Sequence, residues 1–250
     1  MRGSIVVGLL MVSLSPVVAQ GQTCLGLPSF ARVPAHLSAS VSSGDDITHL
    51  GGRLSWGSSA LGPFASVEAA LVDVDGIDES AFSVGGAVGL QIAAKGPNGT
   101  GNNGGGKARG TTRSRSRSAN QGSSSMRPMQ WCPMMTVDYQ SGPNFDILGE
   151  SFDMSALTVG AGANVGLPIE AGTNLQLIPT GGFGLAYTKV SADFGPMGGS
   201  ESDIYGVMTL GVGIMMNQTI SVKPFIGIPI GLDGADSRVG IMAAFGLGQR

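Results

Sequence analysis

The chain has few charged residues, few histidines and few cysteines. Only 12% of its residues are charged, about half the share found in soluble globular proteins. Its two histidines, His36 and His49, offer little choice for a Ser-His-acid triad, and no Gly-x-Ser-x-Gly elbow is present. Neither cysteine has a Cys or His at the ligand spacing of a zinc site. With no phosphate loop, dinucleotide fingerprint or haem motif either, we predict no catalytic residue, metal or cofactor.

The N-terminus has the pattern of a bacterial signal peptide. A positive start at Arg2 precedes an apolar stretch over 5–14 and small residues ending at Ala19. We therefore expect residues 1–19 to be removed during export, leaving 20–33 as an N-terminal periplasmic arm. Because an oxidising compartment favours pairing of thiols, a disulfide between Cys24 and Cys132 is predicted; two unpaired thiols are the alternative.

Beyond the signal peptide, no apolar run is long enough for a transmembrane helix, which needs about 18 residues or more. Apolar residues instead alternate with small or polar ones, as from Leu157 to Leu167, where the residues between are Thr, Gly or Asn. Such alternation is typical of strands. Ten segments show it: 34–43, 48–57, 63–74, 80–93, 131–140, 154–167, 173–189, 202–216, 219–231 and 237–248.

The less apolar face of these segments carries glycine, alanine, serine and threonine but very few charges. A soluble sandwich places charge on its outer face, whereas a membrane barrel has an apolar exterior and a mildly polar interior. In lipid only a helix or a closed barrel satisfies its own backbone hydrogen bonds. The fold predicted for 34–248 is therefore all-β, an up-and-down antiparallel transmembrane β-barrel of about ten strands, with eight as the alternative.

The acidic residues support this topology. If both termini lie in the periplasm, the loops after odd-numbered strands face outward. These loops and the adjoining strand ends hold 14 of the 17 acidic residues. They are Asp45, Asp46, Asp73, Asp75, Asp78, Glu79, Asp146, Glu150, Asp153, Asp193, Glu201, Asp203, Asp233 and Asp236.

A basic insertion at 95–127 interrupts the predicted barrel between its fourth and fifth strands. It has seven basic residues and no acidic one, and almost nothing apolar to bury, so we expect it to be disordered. An inert loop is the first interpretation, and binding of an anionic component of the cell envelope is the alternative. Nucleic acid is not predicted as a partner, because no aromatic residues alternate with the arginines. The basic residues are Lys95, Lys107, Arg109, Arg113, Arg115, Arg117 and Arg127.

Four charged side chains are predicted to point into the barrel: Arg53, Glu68, Asp138 and Lys223. Arg53 and Glu68 lie about equally far from one short turn, so they can face each other across two strands. Because a buried charge is costly unless paired or hydrated, we expect an ion-pair network here. Such a network either plugs the lumen or lines a narrow channel, and plugging is the preferred interpretation.

Ten alternating strands behind a signal peptide resemble the small outer-membrane β-barrel superfamily of bacteria. The resemblance implies a monomer in contact with outer-membrane lipid, inserted by the barrel assembly machinery. Members of that group often end in Phe, whereas here Phe245 is followed by further residues. The function expected is structural or surface-interacting, with a porin-like narrow diffusion pore as the alternative.

An outer-membrane hydrolase is a remote alternative. Asp73 and Asp75 superficially look like the paired aspartates of the omptin protease family. That family also pairs an Asp with a His two residues on, whereas Asp46 and His49 are three apart. We therefore predict that the protein is not an enzyme.

Overall fold

A computed structural model describes residues 33–248 apart from 45, 58–61, 78, 94–128, 143–144, 148–149, 194–197, 218 and 232–235. The predicted signal peptide, all but the last residue of the arm, and the basic insertion lie outside these residues, and all three stay predictions. Cys24 also lies outside them, so its disulfide with Cys132 stays a prediction. Within the described ranges, no helix is long and apolar enough to cross a membrane.

Ten long antiparallel strands form one sheet that closes on itself. Each strand pairs with the long strands before and after it along the chain, and the last pairs with the first. Two short strands, β6 and β8, extend β7 and β9. The strands are β1 (Ala35–Ser43), β2 (Ile47–Gly57), β3 (Gly62–Val74), β4 (Ala81–Ala93), β5 (Gln130–Ser141), β6 (Phe145–Ile147), β7 (Glu150–Gly166), β8 (Ile169–Glu170), β9 (Leu175–Asp193), β10 (Gly199–Met216), β11 (Ile220–Ile230) and β12 (Arg238–Leu247).

The predicted up-and-down barrel of ten strands is therefore confirmed, and the eight-strand alternative is excluded. Every predicted segment overlaps one long strand. The structure adds length at one end, where β7 and β10 begin earlier and β9 ends later than the alternation indicated. We call the end where β1 begins and β12 ends the terminal end, and the opposite end the distal end.

Alternation along each strand separates an apolar exterior from a mixed interior. On β5, Met135 and Val137 point outward and are half exposed, whereas Cys132, Met134 and Gln140 point inward and are buried. The same division holds around the barrel, because a strand's successive side chains point to opposite faces. The exterior thus exposes large apolar side chains from all ten strands.

Exposed aromatic side chains mark both edges of this apolar exterior. Trp56, Trp131 and Phe245 lie near the terminal end. Phe82, Tyr139 and Tyr187 lie towards the distal end. On β5, Trp131 and Tyr139 are separated by roughly 26 Å at about 3.3 Å per residue, or roughly 20 Å across the bilayer for a strand tilted by about 40°. That height is close to the apolar band of a transmembrane barrel, about 25 Å.

Two prolines interrupt the ladders without breaking the barrel. The pairing of β4 with β5 stops between Gly89↔Met134 and Ile92↔Trp131, on either side of Pro133. The pairing of β10 with β11 stops between Gly211↔Phe225 and Ile214↔Val222, where Pro224 lies. A missing N–H explains both gaps. Pro224 therefore weakens one ladder of β11 locally, and the strand persists over 220–230.

The described acidic side chains outside the lumen agree with the predicted sidedness. With the exception of Glu170 in β8, they are exposed at the distal end, in loops or at strand ends. These residues are Asp46, Asp73, Asp75, Glu79, Asp153, Asp193, Glu201, Asp203 and Asp236.

We predict that charge on the apolar exterior destabilises the barrel according to its depth. Met135 points outward midway between Trp131 and Tyr139 on β5. Met135→Arg should lower the free energy of unfolding in lipid vesicles by about 2–4 kcal/mol, because an arginine at the midplane must leave water. Urea titration followed by tryptophan fluorescence measures this change.

Ser141→Arg is the matched control, since Ser141 is exposed on the same strand beyond the distal aromatic residues. It should cost at most about 1 kcal/mol. Equal costs at positions 135 and 141 would contradict an apolar exterior in contact with lipid.

Candidate functional site

The polar interior is organised along one row of cross-strand partners. Starting on β1, each inner-face residue of this row is the register partner of the next, across seven consecutive strands of the barrel wall. We call this set the polar row. Its members are Ser38, Arg53, Glu68, Gly85, Asp138, Thr158 and Thr188.

Arg53 and Glu68 form a buried ion pair within the polar row. Their side chains are 6% and 13% exposed. Arg53 Nε donates to Glu68 Oε2 at 2.6 Å, and Arg53 Nη2 donates to the same oxygen. The equal distance of both residues from the β2–β3 turn brings them opposite each other, as the sequence predicted. Because removing either charge would strand the other in the interior, each one requires its partner.

Gly85 gives Glu68 and Asp138 room to approach each other across β4. A Cβ at this position would lie 2.5 Å from Asp138 Oδ2 and 3.2 Å from Glu68 Oε1. Any larger residue would collide with the Asp138 carboxylate. Three of the four predicted lumenal charges, Arg53, Glu68 and Asp138, therefore lie in one group on β2, β3 and β5, on either side of this glycine.

Lys223 lies apart from this group on β11. Its side chain is 3% exposed, and its ammonium is 6.0 Å from the centre of the Phe225 ring. Its Cε atom lies over Gly211, where a Cβ would be only 2.9 Å away. In the part of the chain that the structure describes, Lys223 has no carboxylate at ion-pair distance. Arg53, Glu68, Asp138 and Lys223 therefore do not form one ion-pair network.

A second polar group towards the distal end was missed by sequence analysis. Arg238 Nη1 is 2.7 Å from His49 Nε2, so that the imidazole nitrogen accepts from the guanidinium, which can only donate. Thr158 and Thr188 share a hydrogen bond of 2.8 Å, and Thr188 donates to Tyr205 at 3.4 Å. In the sequence, this group is indicated only by a few larger polar residues that stand among apolar or small residues on the inner faces of the strands.

The space left beside the ion pair is small. A cavity of about 30 Å³ lies between Arg53, Glu68 and the neighbouring inner-face side chains. One water needs about 10–15 Å³ measured in this way, so the cavity holds about two. Its polar lining includes Ser40, His49, Arg53, Glu68, Ser83 and Asp138.

The space beside two glycines on the inner faces of β7 and β9 is also occupied. A Cβ at Gly182 would collide with Asn164 Oδ1, because the Asn164 side chain occupies that space. At Gly160 it would lie 2.7 Å from Thr136 Oγ1. The room that these glycines provide is therefore filled by polar side chains from neighbouring strands.

The residues considered for hydrolysis do not assemble into a site. His49 points into the lumen towards Arg238, whereas Asp46 is exposed in the turn before β2. Asp73 accepts a hydrogen bond from Ser80 Oγ at the exposed distal rim. Over the described ranges, no group of three or more His, Cys, Asp or Glu side chains could hold a metal ion.

Several solved structures are similar to this chain at low sequence identity. The N-terminal β-barrel domain of OprF from Pseudomonas aeruginosa matches with a TM-score of 0.33 and 8% identity, over 86% of this chain and 99% of that one. Ail of Yersinia pestis matches with a TM-score of 0.36 and 11% identity, over 86% of this chain and 95% of Ail. The Acinetobacter baumannii outer membrane protein Omp33 matches with a TM-score of 0.33 and 11% identity, over 87% of this chain and 99% of Omp33. No protein-family model and no curated protein matches the sequence.

We predict that replacing one member of the Arg53–Glu68 pair lowers the free energy of unfolding much more than replacing both members together. Glu68→Met alone should lower the free energy of unfolding by about 3–5 kcal/mol, because it leaves a buried guanidinium without its partner. The double variant Arg53→Met/Glu68→Met should recover most of that loss.

A double-mutant cycle measured by urea unfolding in detergent isolates the coupling between the two residues. Additive losses in the double variant would show that the two side chains do not interact in the folded barrel.

Proposed function

We propose that the protein is a bacterial outer-membrane β-barrel with a structural or surface-interaction role, whose lumen is closed by the polar row and its neighbours. One observation carries the proposal: an apolar exterior of membrane height encloses an interior whose space beside the Arg53–Glu68 pair holds about two water molecules.

The exterior supports placement in a membrane. Its edges carry Trp56 and Trp131 at one end and Tyr139 and Tyr187 towards the other, as in the aromatic girdles of transmembrane barrels. Half-exposed Leu, Val, Ile and Met side chains occupy the surface between them. In water such a continuous apolar surface would aggregate, whereas in lipid it is the favoured contact. Closure of the sheet also leaves no edge that lipid would have to cover.

The interior supports closure rather than conduction. Arg53, Glu68 and Asp138 come from adjacent strands on one side, and Lys223 and Phe225 come from β11 on another. The inner faces of β7 and β9 are filled from neighbouring strands by Asn164 and Thr136. A ten-stranded barrel is only slightly wider than the eight-stranded size that side chains just fill, which favours closure of the lumen by these groups.

The distal rim supports a role at the cell surface. It carries nine exposed acidic side chains, from Asp46 to Asp236, on the end opposite the termini. In transmembrane barrels the longer loops face outward, and the extended β9–β10 hairpin and the short β6 lie at this end. The insertion at 95–127 departs from that rule, because it joins β4 to β5 at the opposite end. The assignment of the distal end to the outer side therefore rests on its acidic side chains and its extended strands.

Several finer expectations belong to the same proposal. The protein is expected to be monomeric, to contact outer-membrane lipid and to need the barrel assembly machinery for insertion. Binding of an anionic envelope component by the insertion at 95–127 remains the alternative to an inert loop. That the protein is not an enzyme also stays a prediction.

We predict that the refolded mature chain inserts into planar bilayers without conducting ions. Glu68→Ala should produce brief openings, because it removes one member of the ion pair that closes the lumen. Glu201→Ala is the matched control and should remain silent, since Glu201 is exposed at the distal rim. Conductance recordings at two salt concentrations, with insertion verified by heat-dependent gel mobility, give the measurement.

Discrete steps from the unmodified chain that scale with salt would contradict closure and favour the narrow diffusion pore. Failure of the folded chain to insert would contradict the membrane assignment itself.

A further inference from the structure

The outer face of the barrel changes its chemistry beyond the distal aromatic residues. Along β9, Tyr187, Lys189, Ser191 and Asp193 follow one another at every second position and therefore point to the same, outward side. The surface thus passes from an aromatic ring to a cation, a hydroxyl and a carboxylate as it leaves the apolar exterior. Only the first of these groups suits contact with lipid tails.

Hydroxyl groups extend across four strands at the level of Ser191. Each of these outward-facing serines is the register partner of the next, and we call the set the serine row. Its members both donate and accept hydrogen bonds, so the row offers contacts to a polar molecule and not to a lipid tail. They are Ser141 on β5, Ser155 on β7, Ser191 on β9 and Ser200 on β10.

An open cleft of about 730 Å³ lies along three members of the serine row. Ligand sites in proteins measure roughly 300–1,000 Å³, whereas the lumenal cavity beside Arg53 holds only about two waters. The cleft is therefore large enough for a ligand, and its side chains favour a polar one. The outward-facing residues that line it are Tyr139, Ser141, Asp153, Ser155, Ser191 and Asp193.

The height of the cleft restricts the kind of lipid that reaches it. Ser191 lies four residues beyond Tyr187, or roughly 10 Å higher at about 3.3 Å per residue and a tilt of about 40°. Ordinary phospholipid headgroups add only roughly 5–8 Å to each side of the apolar core. A headgroup that reaches the serine row from the bilayer must therefore be longer, as one built from sugar rings is.

The cation below the cleft lies where a lipid phosphate would lie. Lys189 is two residues beyond Tyr187, roughly 5 Å higher by the same measure. In the part of the chain that the structure describes, it has no carboxylate at ion-pair distance. Asp193 is roughly 13 Å further along β9, so water and salt largely screen its charge from a phosphate at Lys189.

We propose that this cleft binds the phosphorylated sugar headgroup of a lipid in the outer half of the bilayer. Lys189 binds the phosphate, the serine row and Asp153 pair with sugar hydroxyls, and Tyr139 packs against the apolar side of a sugar ring. The lipid tails continue onto the apolar exterior below. This inference rests on the proposed placement of the barrel in a membrane with its distal end outward, and it names the class of lipid that this end contacts.

Lipid binding by the refolded mature chain in detergent tests the inference. Native mass spectrometry measures the bound fraction for two probes: a phosphorylated diglucosamine lipid, and phosphatidylglycerol, which has a phosphate but no sugar ring. The unmodified protein should bind the diglucosamine lipid at least about tenfold more tightly, because only that headgroup makes hydrogen bonds to the serine row.

Variants separate the two kinds of contact. Ser155→Ala/Ser191→Ala should weaken binding of the diglucosamine lipid about tenfold and leave phosphatidylglycerol unchanged, because it removes hydroxyl groups only. Lys189→Ala should weaken binding of both lipids about fivefold, because both carry a phosphate. Ser43→Ala/Thr48→Ala is the matched control and should change neither, since these exposed, paired residues lie at the distal end on the opposite side of the barrel.

Equal affinity of the unmodified protein for the two lipids would overturn the inference, and so would undiminished binding by Ser155→Ala/Ser191→Ala. Heat-dependent gel mobility verifies the fold of each variant, and insertion into vesicles is measured separately. A chain that inserts yet binds both lipids equally refutes the sugar site and leaves the membrane placement intact. A folded chain that does not insert contradicts the placement, and the inference with it.

Discussion

Closure of the sheet is the constraint on which the rest of the structure depends. A backbone group without a partner is costly in lipid, and the pairing of β12 with β1 leaves no strand of the barrel with an open edge. The exterior can then be apolar from Trp131 to Tyr139 on β5. With the exterior in lipid, as we propose, the low content of charged residues follows from the same constraint, because charge is then tolerated only in the lumen and at the two ends.

Inside the barrel, the few charged side chains depend on specific neighbours. Arg53 needs Glu68 because both are desolvated, and Gly85 is required because a side chain there would collide with Asp138. The polar row thus joins charge pairing and packing in one arrangement. Together with Lys223 near Phe225, it places the charged side chains of the lumen on opposite parts of the barrel wall.

The strands and the Arg53–Glu68 contact could be predicted from the sequence because both depend on local spacing. Period-two alternation locates each strand, and equal distances from one short turn set the register of β2 against β3. The contact of His49 with Arg238 could not be predicted, since its residues are 189 positions apart and meet only after closure. Three further features could not be predicted, because each depends on how distant strands pair. They are the separation of Lys223 from the other charges, the alignment of the exposed aromatic residues at the two edges of the exterior, and the short strands β6 and β8.

Depth-dependent quenching of tryptophan fluorescence by brominated lipids tests the central claim most directly. The chain has two tryptophans, Trp56 and Trp131, and both lie on the exterior near the terminal end. A barrel whose apolar exterior faces lipid predicts strong quenching by bromines placed close to the headgroups and weaker quenching by bromines at the bilayer centre. Absence of quenching in vesicles, or a maximum at the bilayer centre, would contradict the account.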